Sequence, residues 1–323
     1  MTTLPLPLLP ADTVTFWRAK DGWPIRAARL FPPETLARRG SILFLNGRAD
    51  HIEKYAEAML GWAAQGWTVD SFDWRGQGGS GRVAPAAPML GHIPDFEIWL
   101  DDLRDYAARW RAGTPGPHVI VGHSMGGHLL LRALAERRVT ADAAVLVAPM
   151  LGLVAGGVPH AVARRLCEAV CALGLGERPL WPERSRTPER ETALRERLTH
   201  SRERFAQEQE MRRAHPDLAM DAPSWGWLRA AYHSIERLEA PGLLENVRTP
   251  VLIVASRMDK LVSALAIEQV ARRLPDARLH FYGPEAAHEI LREADLVRDD
   301  ALARIDAFLE DHAPPVAAAA EGR

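Results

Sequence analysis

The residues with the clearest chemical content in this sequence are Gly122-His123-Ser124-Met125-Gly126, which satisfy the pattern G-x-S-x-G. The pattern has meaning where such a serine sits on a sharp turn from strand to helix. Its hydroxyl is then held above the carboxyl edge of a sheet, beside a helix N-terminus that favours developing negative charge. Apolar residues 118–122 before it and helix-forming residues 127–136 after it supply that setting. A hydroxyl is a weak nucleophile at neutral pH and needs an adjacent base, so an acid and then a histidine should follow downstream. Asp259 comes directly after the apolar run 251–255, and His288 comes shortly after the run 278–282. Both are therefore expected at the same sheet edge as Ser124. The reading is Ser124 as nucleophile, His288 as its base and Asp259 orienting the base; the plainer alternative for Asp259 is a loop carboxylate paired with Arg257 or Lys260. His123, although next to the serine, is read as lining the turn. Acyl transfer also needs two donors for the oxyanion. These are assigned to the backbone N–H of Met125 and, from the loop Asn46-Gly47-Arg48-Ala49-Asp50, to the backbone N–H of Arg48.

The elements that must position these residues alternate between strand and helix. Residues 42–45, 67–72, 118–122 and 143–147 read as buried strands, separated by helices over 53–65, 95–111 and 125–136. Alternation resumes with strands at 251–255 and 278–282, a helix over 264–274 behind a Ser263 cap, and a closing helix over 295–310. Such alternation predicts an α/β fold, a mostly parallel central sheet with helices on both faces. Between the two sections, residues 150–247 are Arg/Glu-rich, helical in pattern and broken by several prolines. The expected organisation is a core made of 1–149 and 248–312, a helical cap over 150–247 inserted before the last two strands, and a disordered tail over 313–323.

Composition excludes several classes of function. The chain is 47% hydrophobic and 25% charged, with a formal net charge of −2, which gives no general attraction to phosphate backbones. No nucleic-acid partner is expected. The arginines between 178 and 213 alternate with glutamates, as on a solvated, salt-bridged helical face. Gly76-Gln77-Gly78-Gly79-Ser80-Gly81 fits G-x-G-x-x-G, but Pro85 and Pro88 follow where a dinucleotide site needs a helix, so it is read as a tight loop. His288-Glu289 has Arg292 where a zinc motif needs a second histidine, and the only two cysteines, Cys167 and Cys171, are helix neighbours. No metal and no cofactor are expected. Met1 to Pro10 looks like neither a signal peptide nor a membrane span, which leaves the cytoplasm as the expected compartment.

Taken together, certain segments resemble the lysophospholipase and monoacylglycerol lipase group of α/β-hydrolases, also called serine aminopeptidase-like. They are Gly47-Arg48 with Glu53-Lys54-Tyr55, Asp73-Trp74-Arg75-Gly76-Gln77-Gly78, Gly122 to Gly127, Leu198-Thr199-His200-Ser201, Ser224-Trp225-Gly226-Trp227 and His288-Glu289-Ile290-Leu291. The cap and terminal segments are most similar to the bacterial lysophospholipase L2 branch. The resemblance implies hydrolysis of a carboxylic ester through an acyl-enzyme, with a monoacyl lipid (lysophospholipid or monoacylglycerol) as substrate. Asn46 departs from the monoacylglycerol lipase pattern, which has histidine there. Other readings are a small-molecule or xenobiotic carboxylesterase, a peptidase, or a non-catalytic binding protein on the same fold. Trp225 and Trp227 are candidate contacts to the acyl chain. Residues 158–175 place Val162, Leu166, Val170 and Leu173 on one helical face. A lid in transient contact with a membrane surface has this pattern; a helix packed on its own domain has it too and is the preferred reading.

Overall fold

The computed structural model describes residues 9–154, 156–181 and 187–315. Eight strands form one sheet: β1 (Val14–Arg18), β2 (Pro24–Leu30), β3 (Gly40–Leu45), β4 (Trp67–Phe72), β5 (His118–His123), β6 (Ala143–Val147), β7 (Val251–Ser256) and β8 (Ala277–Tyr282). Their spatial order is β1-β2-β4-β3-β5-β6-β7-β8. From β4 to β8 all neighbours are parallel, while β1 and β2 form an antiparallel edge. The six parallel strands, β3 to β8, are those expected from the apolar runs. The edge hairpin is not, because β1 is mostly exposed and has no buried run to mark it.

Alternation along the strands divides the core in two. Leu43, Leu45, Ile120, Leu146 and Ile253 face one side, under the helices α2 (Glu97–Gly113), α3 (Met125–Ala135) and α8 (Ala264–Arg273). Ile42, Phe44, Val119, Val145 and Val254 face the other, under α1 (Ala56–Ala64) and α9 (Asp295–His312). Each fully buried side chain of this size stabilises the fold by about 1.5–3 kcal/mol. Both faces are sealed, so the loops at the carboxyl edge of the sheet are fixed from below. The expected helix over 53–65 is in fact a 3-10 turn, Ile52–Tyr55, running into α1, and the helix expected over 95–111 is shifted to α2.

Among the described residues, four helices stand between β6 and β7: α4 (His160–Ala172), α5 (Pro188–Leu198), α6 (Arg202–Ala214) and α7 (Trp225–Leu238). Thr187, Ser201 and Ser224 cap the last three through side-chain oxygens that accept first-turn N–H groups. The direction of α4 corrects an expectation. Its small residues Ala163 and Cys167 pack on Tyr232 of α7, and the larger Val162, Leu166 and Leu173 are exposed, at 56%, 53% and 77%. Three of the four stripe residues thus point away from the protein, with Val170 half-buried, while the helix packs on its own domain through its small residues. Tail residues 316–323 lie outside the described residues, and with them most of the segment expected to be disordered. No helix among the described residues is long and apolar enough to cross a membrane.

Candidate active site

Ser124 occupies the turn between β5 and α3 at φ 51°, ψ −115°, in the left-handed half of backbone space, where a non-glycine residue costs about 1–3 kcal/mol. Three backbone hydrogen bonds hold it there. Its N–H donates to the Val147 carbonyl (2.9 Å), and its carbonyl accepts from His128 N–H and Met150 N–H (3.0 Å each). The flanking glycines are a steric necessity. A Cβ on Gly122 would lie 2.7 Å from the Gly126 carbonyl, and one on Gly126 would run into the Leu45 carbonyl at the end of β3.

His288 and Asp259 converge on this turn from the neighbouring loops. His288 Nε2 lies 2.9 Å from Ser124 Oγ, and its Nδ1 lies 2.7 Å from Asp259 Oδ2. The other carboxylate oxygen of Asp259 accepts the N–H groups of Leu261 (2.7 Å) and Val262 (3.0 Å). Asp259 makes these bonds in place of a surface pair with Arg257 or Lys260. The Ser256 hydroxyl donates to the Ala286 carbonyl (2.6 Å) and so ties the Asp259 loop to the His288 loop.

The electrostatics of the pair follow from burial and proximity. Burial disfavours a charged imidazole on His288, but the adjacent Asp259 carboxylate and its hydrogen bond prevail and raise the pKa above the ordinary histidine value. Burial likewise opposes a charged Asp259; the His288 charge and hydrogen bond, with the two backbone donors, hold it below the usual carboxylate value. The other histidines near Ser124 are committed elsewhere. His128 bonds Ser234 Oγ (2.6 Å), and burial beside Arg132 pushes its pKa down to about 3. His123 lines the turn, with Nδ1 2.7 Å from the Tyr55 hydroxyl and 3.5 Å from Asp50.

The loop after β3 lies against the serine. A Cβ built on Gly47 would be 3.3 Å from Ser124 Cβ and 3.1 Å from His123 Nδ1. Gly47 N–H donates to Asp50 Oδ2 (2.9 Å) and Ala49 N–H to Gln77 Oε1 (2.5 Å), which fixes the peptides on both sides of Arg48. Met125 opens α3, so its N–H is among the first-turn donors without an intrahelical acceptor. Trp227 is buried, packs on Phe96 and lies under the Arg48 guanidinium, 5.7 Å from ring centre to Cζ. Trp225 instead packs beside Cys167 and Tyr232, within the helical insertion.

Sequence reasoning missed a buried ion cluster behind the site. Lys54 Nζ lies 2.6 Å from both Asp50 Oδ1 and Glu289 Oε1, and 3.3 Å from Glu208 Oε2. Arg292 Nη1 meets Glu208 (2.6 Å) and Glu289 (2.7 Å). Burial opposes charge on Glu208, yet Lys54 and Arg292 hold it down at about 2. The cluster joins the Gly47 loop through Asp50, the His288 loop through Glu289 and the insertion through Glu208. It also corrects the reading of α6 as a wholly solvated face, since Glu208 is buried. The i,i+4 pair Asp50/Lys54 and the i,i+3 pair Glu289/Arg292 were the local signals; what joins them to each other and to Glu208 is the tertiary fold. Among the described residues, no group of three or more His, Cys, Asp or Glu is arranged to hold a metal ion.

The arrangement can activate a serine for attack on a carbonyl carbon, and comparison with known proteins agrees in fold. Residues 37–295 match the family model described as serine aminopeptidase, S33. The chain is 28% identical over 283 residues to the probable lysophospholipase L2 of Haemophilus influenzae, covering 87% of this chain and 86% of that protein. It is also 28% identical over 324 residues to lysophospholipase L2 of Escherichia coli K12, covering 93% and 90%. Among solved structures it is similar to a soluble variant of monoglyceride lipase from Saccharomyces cerevisiae in complex with a substrate analog, with a TM-score of 0.73 at 17% identity over 96% of this chain and 99% of that one. With an eight-stranded, mostly parallel sheet and a family match over most of its length, the chain belongs to the serine aminopeptidase S33 family of α/β-hydrolases.

Proposed function

We propose that the protein is a serine esterase that cleaves the carboxylic ester of a monoacyl lipid, a lysophospholipid or a monoacylglycerol. The observation that carries this reading is the continuous hydrogen-bonded line Ser124–His288–Asp259, with 2.9 and 2.7 Å contacts, on a strained turn at the carboxyl edge of the sheet. Ser124 Oγ attacks the ester carbonyl as His288 Nε2 takes its proton, and Asp259 orients and stabilises the imidazolium. The oxyanion is held by the N–H groups of Met125 and Arg48. His288 passes the proton to the leaving alcohol, then draws one from water, whose oxygen releases the acyl group from Ser124.

Residues 150–247 serve in this reading as a cap over the core. In support, Ser124 and His288 are only 9% and 4% exposed, and the insertion reaches both site loops. The Asp221 carbonyl accepts from Arg48 Nη1 (2.9 Å), and the Leu198 carbonyl accepts from Glu289 N–H (2.7 Å). Trp227 is the insertion residue assigned to the substrate channel because it stands against Arg48. The outward apolar face of α4, with Arg164 and Arg165 beside it, fits transient contact with a lipid surface. The lipid assignment also draws on the names of the two lysophospholipase L2 relatives.

Chain-length dependence tests the substrate class. A monoacyl-lipid enzyme turns over palmitoyl esters with kcat/KM at least about tenfold above butyryl esters of the same alcohol, since each buried methylene adds about 0.8 kcal/mol. A preference for the short chain favours the small-molecule esterase reading instead.

A further inference from the structure

Arg48 carries its backbone N–H in the loop against Ser124, but its side chain has an environment of its own. The guanidinium lies over Trp227 and spends one N–H on the Asp221 carbonyl. Among the described residues no carboxylate comes within ion-pair distance of it, although most other arginines near the site have one. Arg212 is the nearby cation; it makes an ion pair with the Asp221 carboxylate (2.6 Å) and keeps a buried Nε with no hydrogen-bond partner. Asp50, the acid nearest to Arg48 in the chain, is engaged by Lys54. Loss of solvent pushes the Arg48 pKa down to about 10; the nearby Asp50 and Asp221 charges oppose this, Arg212 adds to it, and the acids offset it only in part.

Leaving a half-buried guanidinium without a directly paired anion is unfavourable, and Arg is the side chain whose planar fork matches phosphate oxygens. In the proposed function the backbone N–H of the same residue meets the ester oxyanion. A substrate that puts an anion a few bonds from its ester could therefore satisfy both ends of Arg48. We propose that the Arg48 side chain recognises the phosphodiester of a lysophospholipid head group, so that the site selects an anionic glycerophosphodiester over an uncharged monoacylglycerol. The assignment rests on the monoacyl-lipid reading above and narrows it. Trp227 holds the guanidinium stem and plane, and the Asp221 carbonyl sets its direction from the insertion, so head-group choice is divided between core and insertion.

The test compares kcat/KM for lysophosphatidylcholine and monopalmitoylglycerol, both with a palmitoyl chain, in the wild type and in Arg48→Gln. A charge-assisted contact of this kind sets a lysophospholipid-to-monoacylglycerol ratio that falls about 10- to 100-fold in the variant. A ratio unchanged within twofold, including an equal loss on both substrates, means that Arg48 merely pins the loop to the insertion and overturns the assignment. Arg48→Met, which keeps the apolar stem on Trp227, carries the same comparison if Arg48→Gln does not fold. A wild type that hydrolyses neither substrate refutes the monoacyl-lipid reading itself, and the Arg48 assignment falls with it.

Discussion

In the proposed mechanism His288 is held between a hydroxyl that must lose a proton, Ser124, and a carboxylate that must not gain one, Asp259. The carboxylate raises the affinity of the imidazole for a proton, yet only the neutral ring can accept one from Ser124. The rate on a short soluble ester should therefore rise with pH through an apparent pKa above the ordinary histidine value of 6.5. Asp259→Asn removes the charge and frees the wrong ring tautomer, so kcat should fall by about four orders of magnitude and the limb should move to lower pH. A pH–rate profile of both proteins checks this; coincident limbs would mean that Asp259 does not act on His288. The convergence of Ser124, Asp259 and His288 at one edge could be read from the sequence because glycine spacing and strand-end position are local properties. The side-chain roles of Arg48 and Lys54 could not, because their partners Trp227, Asp221, Glu208 and Glu289 are brought in by the tertiary fold.

At the scale of elements, the sealed strands were legible as apolar runs, whereas elements with divided exposure were not. β1 shows one buried residue in five and was missed. In α4 the stripe was visible but its direction was not, since Ala163 and Cys167 make the inward contact and leave the larger side chains outside. Burial of one such side chain in an apolar phase is worth about 1.5–3 kcal/mol. Replacing Val162 and Leu166 together with Glu should thus lower partition onto phosphatidylcholine vesicles at least about tenfold, measured by co-sedimentation with circular dichroism as the control for folding. Equal sedimentation of the two proteins would remove α4 from any lipid contact. The buried cluster works differently: three carboxylates face Lys54 and Arg292 within the fold, so its members act as a unit.

Over the whole molecule, function is divided by position. The sheet brings the proposed chemistry together, because the parallel run β5-β6-β7-β8 ends at one edge and the loops after β5, β7 and β8 deliver Ser124, Asp259 and His288 there. The insertion between β6 and β7 touches that edge at Arg48 and Glu289 and, under the proposed function, supplies the selective surroundings. Strand alternation made the first part legible; the second depends on how four helices pack, which their polar, proline-broken sequence does not encode locally. The central claim concerns one atom, Ser124 Oγ. Treatment with a fluorophosphonate followed by peptide mass mapping should place a single adduct on Ser124, abolish ester hydrolysis, and leave Ser124→Ala both unlabelled and inactive. A Ser124→Ala protein that hydrolyses esters at the parent rate, or an adduct on another residue, would contradict the account.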